Sequence, residues 1–362
     1  MRFKIPIIFF IFGFIVTKSF SQSDSITTNI VPNIQNMNIS NTILNDEDSL
    51  SKRLNYNDYK YGNRQRYTLT GYAPYVNTQI SKSNLILVGS IFGAFFIGQH
   101  IWQEETIWKD KANFKVKEDA IYSIYLDKCG HFFGGYIMSY TFNETLLAVG
   151  FGNDDAILWG SALGLAYQTY IEILDGYGAN YGFSPSDLYA DVVGSVFYYA
   201  QQKVPVLQNF TPKFHYYPAE WHGEHSRKPH DMFIDDYSSQ TCYVSVNVHN
   251  LLPNKLAKYW PDWLELTFGY AARNLSINDP YYSGITPYPN TYPYSASYGE
   301  AWGNPKYIVG LDYDLVKLLP DGGNAWNWFK QSLNYVKLPS PAIEFSRDKP
   351  KLFLMYPFQI KF

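Results

Sequence analysis

The chain is poor in charge and poorer in cysteine. Asp, Glu, Lys and Arg make up 17% of its 362 residues, and the formal net charge is −3. No basic excess exists to collect phosphates, so nucleic acid is not an expected partner. Two cysteines, Cys129 and Cys242, are too few for a disulfide framework, and their pairing stays open because one lies in a helical motif and the other in a strand-like run. A nucleophile elbow, an HExxH pair and a cysteine-ligand spacing are all missing, which removes the common sequence signatures of hydrolases and zinc enzymes. Long hydrophobic runs are scarce as well. Ile5 to Val16 is too short to cross a bilayer, and Leu85 to Ile101 sits at the lower limit.

What is present begins with Arg2 and Lys4, then the apolar run, then Ser19-Phe20-Ser21 ahead of Gln22. That order reads as a secretory signal peptide over residues 1–21 and implies an exported protein of the periplasm or outer membrane. No cysteine accompanies the cleavage site, so an N-terminal lipid anchor is not expected. Residues 22–75, rich in Ser, Asn, Asp and Thr, read as a disordered leader.

From residue 76 to 205 the pattern is helical and rich in glycine, with four predicted helices over Leu85–Ile101, Glu118–Ala148, Asp154–Leu174 and Ser186–Gln202. The first is apolar all round and broken by Gly89, Gly93 and Gly98. It reads as a buried central helix or a membrane-inserted one, with burial or partial immersion preferred. Residues 206–240 read as an irregular linker containing His215, His222, His225 and His230, a surface loop before a metal site. Residues 241–362 read as β, with runs at Thr241–Asn250, Trp263–Asn274, Lys306–Val316 and Lys351–Phe362. These are too few strands for a closed barrel, although the terminal Phe362 is of the kind that ends outer-membrane strands. The fold class is therefore α+β: a glycine-rich helical bundle of about four helices, then an antiparallel β-rich region.

Three polar stations interrupt the apolar bundle. Asp127, Lys128 and His131 form the first, Glu172 and Asp175 the second, Ser184, Asp187 and Asp191 the third. The spacings i,i+3 and i,i+4 place each acidic pair, and Asp127 with His131, on one helical stripe, while Lys128 points about 100° away. If the stripes converge, like charges meet and must be neutralised by Lys128, by protons or by a divalent metal ion, for which His131, Glu172 and Asp187 are the candidate ligands. A buried hydrogen-bond network with Asp187 as a helix cap, a ligand or lipid-headgroup site, and a hydrolytic site working through His131 and Glu172 all remain open.

These motifs, Asp127-Lys128-x-x-His131-Phe132, Glu172-x-x-Asp175-Gly176 and Phe183-Ser184-x-x-Asp187-x-x-x-Asp191-x-x-Gly194, resemble the YfiM-like family of predicted periplasmic lipoproteins, a domain of unknown function. They are more distantly similar to VanZ-like membrane proteins. The stretches Asp236-Tyr237-x-x-Gln240, Trp260-Pro261-x-Trp263 and Leu311-Asp312-Tyr313-Asp314 extend the likeness toward the C-terminus. The resemblance implies an envelope location and no particular activity. The chain departs from it in carrying Asp191 where Asn is usual, and in lacking the lipid-attachment cysteine.

A final feature is the run Ser276–Pro305, crowded with Tyr281, Tyr282, Tyr288, Tyr292, Tyr294, Tyr298 and Trp302. A connection this long is usually functional or disordered, and its aromatics suit a sugar, a membrane interface or a protein partner. The expected function is a membrane-associated structural or lipid- or ligand-binding factor at the periplasmic side of the outer membrane. The alternative is a hydrolase or transferase acting on an envelope lipid or glycan.

Overall fold

The computed structural model describes residues 52–222, 224, 236–277, 292–296, 299–346 and 349–358. The predicted signal peptide and residues 22–51 lie outside them. Residues 52–75, expected to be disordered, are folded instead. They form a short hairpin, β1 (Lys60–Tyr61) and β2 (Arg64–Gln65), turned by Gly62 and Asn63 in the left-handed region. The reason is aromatic content: Tyr59, Tyr61 and Tyr67 are buried, and the Tyr61 hydroxyl donates to Gln201 Oε1 at 2.9 Å.

Four long helices follow, α1 (Lys82–Glu105), α2 (Leu126–Val149), α3 (Asn153–Tyr177) and α4 (Pro185–Lys203). Local signals set their ends. Ser81 and Ser184 cap α1 and α4 by accepting backbone N–H groups, with Pro185 in the first turn of α4. Asp154 and Asp155 occupy the first turn of α3, where the helix dipole favours them. The second helix starts later than the expected Glu118, because Ser123, Ile124 and Tyr125 all adopt positive φ and break the chain just before Leu126.

Glycines decide which helices touch. A Cβ on Gly164 would lie 2.6 Å from Ser139 N, and one on Gly160 2.7 Å from Asn143 N, so α3 lies directly on the backbone of α2. The glycines of α1 behave otherwise: Gly89, Gly93 and Gly98 have nothing within 4 Å of an added Cβ. Only Val88 and Gln103 of α1 are buried, which corrects the expectation of a buried central helix. Helices α2, α3 and α4 already fill one another's faces, and α1 is left to lean on them from outside through Phe96, stacked on Phe142 at 5.7 Å and beside Tyr167 at 5.1 Å.

The C-terminal half is one antiparallel sheet of seven strands: β3 (Phe210–Tyr216), β4 (Gln240–Val246), β5 (Leu264–Ile277), β6 (Tyr292–Ala296), β7 (Gly299–Tyr313), β8 (Ser340–Phe345) and β9 (Lys351–Tyr356). Their order is β3-β4-β5-β7-β8-β9, with β6 paired to β7. A helix, α5 (Asn324–Leu333), lies between β7 and β8 in the chain. The expected linker 206–240 thus contains an edge strand. The aromatic-rich run also gives up both ends to strands, with Tyr292 facing Gly303 and Tyr294 facing Ala301 in register. Tyr281, Tyr282, Tyr288 and Tyr298 lie outside the described residues, as do His225 and His230. His215 is not in a loop but buried in β3, where its ring meets the Tyr243 hydroxyl at 3.2 Å.

Bundle and sheet share a core in which Ile124 and Leu126 pack with Tyr237, Ala272 and Leu275. Phe133 of α2 stacks on Phe214 of β3 at 5.5 Å. The side chains on the enclosed face of the sheet are strongly polar: Lys213 contacts Glu265 at 3.0 Å and Asp312 at 2.9 Å, and all three are buried.

Candidate functional site

The three polar stations converge. His131, on α2, lies at the centre: its Nδ1 is 3.2 Å from Asp191 Oδ1 and 3.6 Å from Glu172 Oε1, while its Nε2 is 3.7 Å from Asp187 Oδ1 and 3.8 Å from Asp127 Oδ1. One imidazole therefore touches carboxylates from α2, α3 and α4. The close packing that permits this rests on glycine: Gly135 and Gly194 let α2 and α4 meet backbone to backbone, at Asp191 O and Phe132 O respectively.

Lys128 does not point away as helical spacing predicts. Its long side chain folds back so that Nζ donates to Asp127 Oδ2 at 2.7 Å, and also to Asp119 and Asp187. A four-carbon stem lets an ammonium reach a neighbouring stripe, which a Cα-based projection ignores. Ser184 is the cap of α4, accepting the Asp187 N–H at 3.3 Å, so Asp187 is not the cap that the hydrogen-bond-network reading requires. Ser184 Oγ donates to Asp119 at 2.8 Å and its N–H to Glu172 Oε2 at 3.2 Å. Asp175 is the station residue drawn elsewhere: it accepts the indole N–H of the fully buried Trp108 at 2.6 Å.

Sequence reasoning missed four participants. Gln168 donates to Asp191 Oδ1 at 2.9 Å, and its i,i+4 relation to Glu172 could have revealed it. The Tyr237 hydroxyl donates to Asp127 Oδ1 from the turn before β4. Trp108 comes from the connection between α1 and α2, where no periodicity marks it, and Asp119 from a stretch that reads as the start of the second helix but precedes it in the structure.

The charges do not balance. Asp119, Asp127, Glu172, Asp187 and Asp191 face the two cationic side chains Lys128 and His131. Burial opposes the charge on both cations, yet the carboxylates outweigh it and hold Lys128 and His131 above their ordinary values. Burial would also raise Asp127, but Lys128 and His131 keep it below the usual carboxylate range. Burial drives Glu172 up to about 8, and burial with the neighbouring Asp127 drives Asp187 up to about 9. The cluster therefore accommodates its acid excess by retaining protons or by gaining a cation. Asp191 is fully buried, and among the described residues its second oxygen, Oδ2, has no hydrogen-bond partner.

Among the described residues two sets of donor atoms lie within 4.8 Å of one another, Asp127/His131/Asp187 and His131/Glu172/Asp191. Donors about 2.0–2.2 Å from an ion sit roughly 3–3.6 Å from each other. The separations at Nδ1 match that range better than those at Nε2, so Glu172 and Asp191 with His131 are the fitter set. A separate apolar cavity of about 290 Å³ lies between α1, α2, α5 and β3, lined by Phe96, Phe133, Ile137, Phe214 and Phe329 among others. It does not include His131.

No curated protein and no solved structure matches this chain. Residues 118–203 match the model of a family described as predicted periplasmic lipoprotein (DUF2279), so the segment that carries Asp127, Lys128, His131, Glu172, Asp187 and Asp191 is similar to an exported, cell-envelope family.

Proposed function

We propose that this is a membrane-associated envelope protein, at the periplasmic side of the outer membrane, whose helical bundle binds a divalent metal ion through His131, Glu172 and Asp191. The observation that carries the reading is the imidazole shared between carboxylates of two other helices, with Asp191 presenting a buried oxygen that none of the described residues satisfies. An unpaired buried carboxylate oxygen is costly, and a cation removes that cost. The His131 and Lys128 side chains keep 18% and 14% exposure, so an ion and an anionic group of an envelope ligand can reach the site.

Titration of the purified protein with Mn²⁺ or Zn²⁺ tests this. A single saturable site is expected, weakened roughly 10–100-fold in His131→Ala and Glu172→Gln while circular dichroism stays unchanged. Absence of saturable binding, or equal affinity in the variants, overturns it.

Hydrolysis or group transfer on an envelope lipid or glycan is the second reading. It is favoured by the carboxylates flanking both ring nitrogens of His131, which hold the imidazole in its charged form and suit it to a general acid. Among the described residues Ser184 is no nucleophile for it, being engaged as a helix cap.

A further inference from the structure

The sheet is amphipathic in the reverse sense to a sheet in water. Its enclosed face holds Lys213, Glu265 and Asp312, together with Lys306, whose Nζ lies 3.2 Å from Glu344. Its other face is apolar, packed on the bundle at Phe214, Tyr270 and Ala272 and open elsewhere. Strand register aligns Val244, Phe268, Val309, Ile343 and Leu352 as one row across five strands, with exposures of 39, 48, 36, 39 and 74%. Beside it run Tyr307 and Phe345, exposed at 58 and 40%, while Tyr270 in the same register closes against the bundle, its hydroxyl donating to the Ile124 carbonyl at 2.6 Å.

A half-solvated antiparallel sheet places its polar residues outward and its apolar ones on the core. The opposite arrangement lowers the free energy only when the surroundings are less polar than the interior, which is the condition of β-walls in lipid. A second element repeats the signature. Helix α1 has 24 residues, and an 18-residue apolar stretch within it has a mean hydropathy of 1.7 with only 6% of it buried; at 1.5 Å per residue that stretch is about 27 Å long, comparable with a bilayer's hydrocarbon core of about 30 Å.

We propose that the open face of β4, β5, β7, β8 and β9 lies against the hydrocarbon of a lipid bilayer, with the sheet's ion pairs shielded behind it. The contact is independent of the metal site, since none of its residues belongs to the His131 cluster. A dry apolar medium also explains why the row carries valine, isoleucine, leucine and phenylalanine with no charge among them, whereas a protein interface ordinarily has a polar rim.

The test uses the full exported chain in vesicles of phosphatidylethanolamine and phosphatidylglycerol. Leu354, exposed at 59% on β9, is changed to Cys in a Cys129→Ser/Cys242→Ser background and labelled with an environment-sensitive fluorophore. Expected results are a blue-shifted emission quenched by lipids brominated along the acyl chain, and vesicle flotation reduced roughly tenfold or more by Ile343→Glu. A label that reports water overturns the proposal. A blue-shifted label that acyl-chain bromine does not quench also overturns it, because a protein or a second copy of the chain then covers the face. Unchanged flotation of Ile343→Glu counts against it equally. An unchanged circular dichroism spectrum and melting temperature in Ile343→Glu show that the variant is folded.

Discussion

The Arg66 guanidinium and the Glu144 carboxylate meet at 2.9 Å with side-chain exposures of 8% and 3%. This pair joins the N-terminal hairpin to the C-terminal part of α2, and Glu144 also accepts the Trp328 indole N–H from α5 at 3.0 Å. Burial alone would keep Glu144 protonated, and its pKa stays above the ordinary carboxylate value even with Arg66 beside it. Removing one partner strands the other in a dry interior. Arg66→Met is expected to cost about 3–5 kcal/mol in denaturant unfolding, whereas the double change Arg66→Met/Glu144→Leu recovers most of that loss. Equal destabilisation by single and double variants contradicts the account.

Lys128 is the protein's own cation in the acidic cluster, donating to Asp119, Asp127 and Asp187. Lys128→Met takes a competing positive charge out of the site. Affinity for Mn²⁺ is expected to rise on the order of tenfold, and the melting temperature of the metal-free protein to fall. Weaker Mn²⁺ binding in this variant would show that Lys128 organises the ligands rather than competes with the ion.

Gly194 allows α4 to touch α2. A methyl group there would collide with the Phe132 carbonyl oxygen and approach its carbonyl carbon to 2.9 Å, and backbone atoms inside a helix cannot step aside. Gly194→Ala is expected to destabilise by about 1–3 kcal/mol or more and to weaken metal binding by separating Asp191 from His131. Gly98→Ala, with open space around its Cβ, is expected to leave both unchanged.

Lys337 gives the pH dependence. Burial lowers its pKa to about 8, assisted by Lys213, although Asp312 lies 3.5 Å away. Between about pH 8 and the unfolded value of 10.5 the unfolded chain binds the extra proton, so stability rises with pH across that window. Below it the lysine is charged in both states and its full penalty is present. Relative to Lys337→Met, the wild type is expected to gain about 3 kcal/mol of unfolding free energy on going from pH 8 to 10.5. A constant difference across that range would remove the explanation.

Much of the architecture is written locally. Serine caps and acidic first turns mark the ends of α1, α3 and α4, and the i,i+3 and i,i+4 stripes carry Glu172, Asp187 and Asp191 toward His131. Gly160 and Gly164 mark a real backbone contact, but Gly89 and Gly93 share their spacing without making one, because spacing says nothing of which partner is available. Strand β3 escaped notice for a physical reason. Lys213 and His215 alternate with Phe214 as a solvated strand would, yet the polar residues face inward, and Pro212 adds a break signal on an edge where no ladder bond is lost. Lys128 and Asp119 were missed as a pair because their meeting depends on side-chain reach and on a stretch that reads as the start of α2 but precedes it.

Tyr237 sits just ahead of β4, yet its hydroxyl serves Asp127 in the bundle, while Gln201 near the end of α4 donates to the carbonyls of Leu207 and Phe210. Scissors placed anywhere between 205 and 240 would therefore cut through one cooperative unit. A truncated helical fragment would lose a donor to Asp127 and the cover over Ile124 and Leu126, and its failure to bind metal would say nothing about the intact molecule.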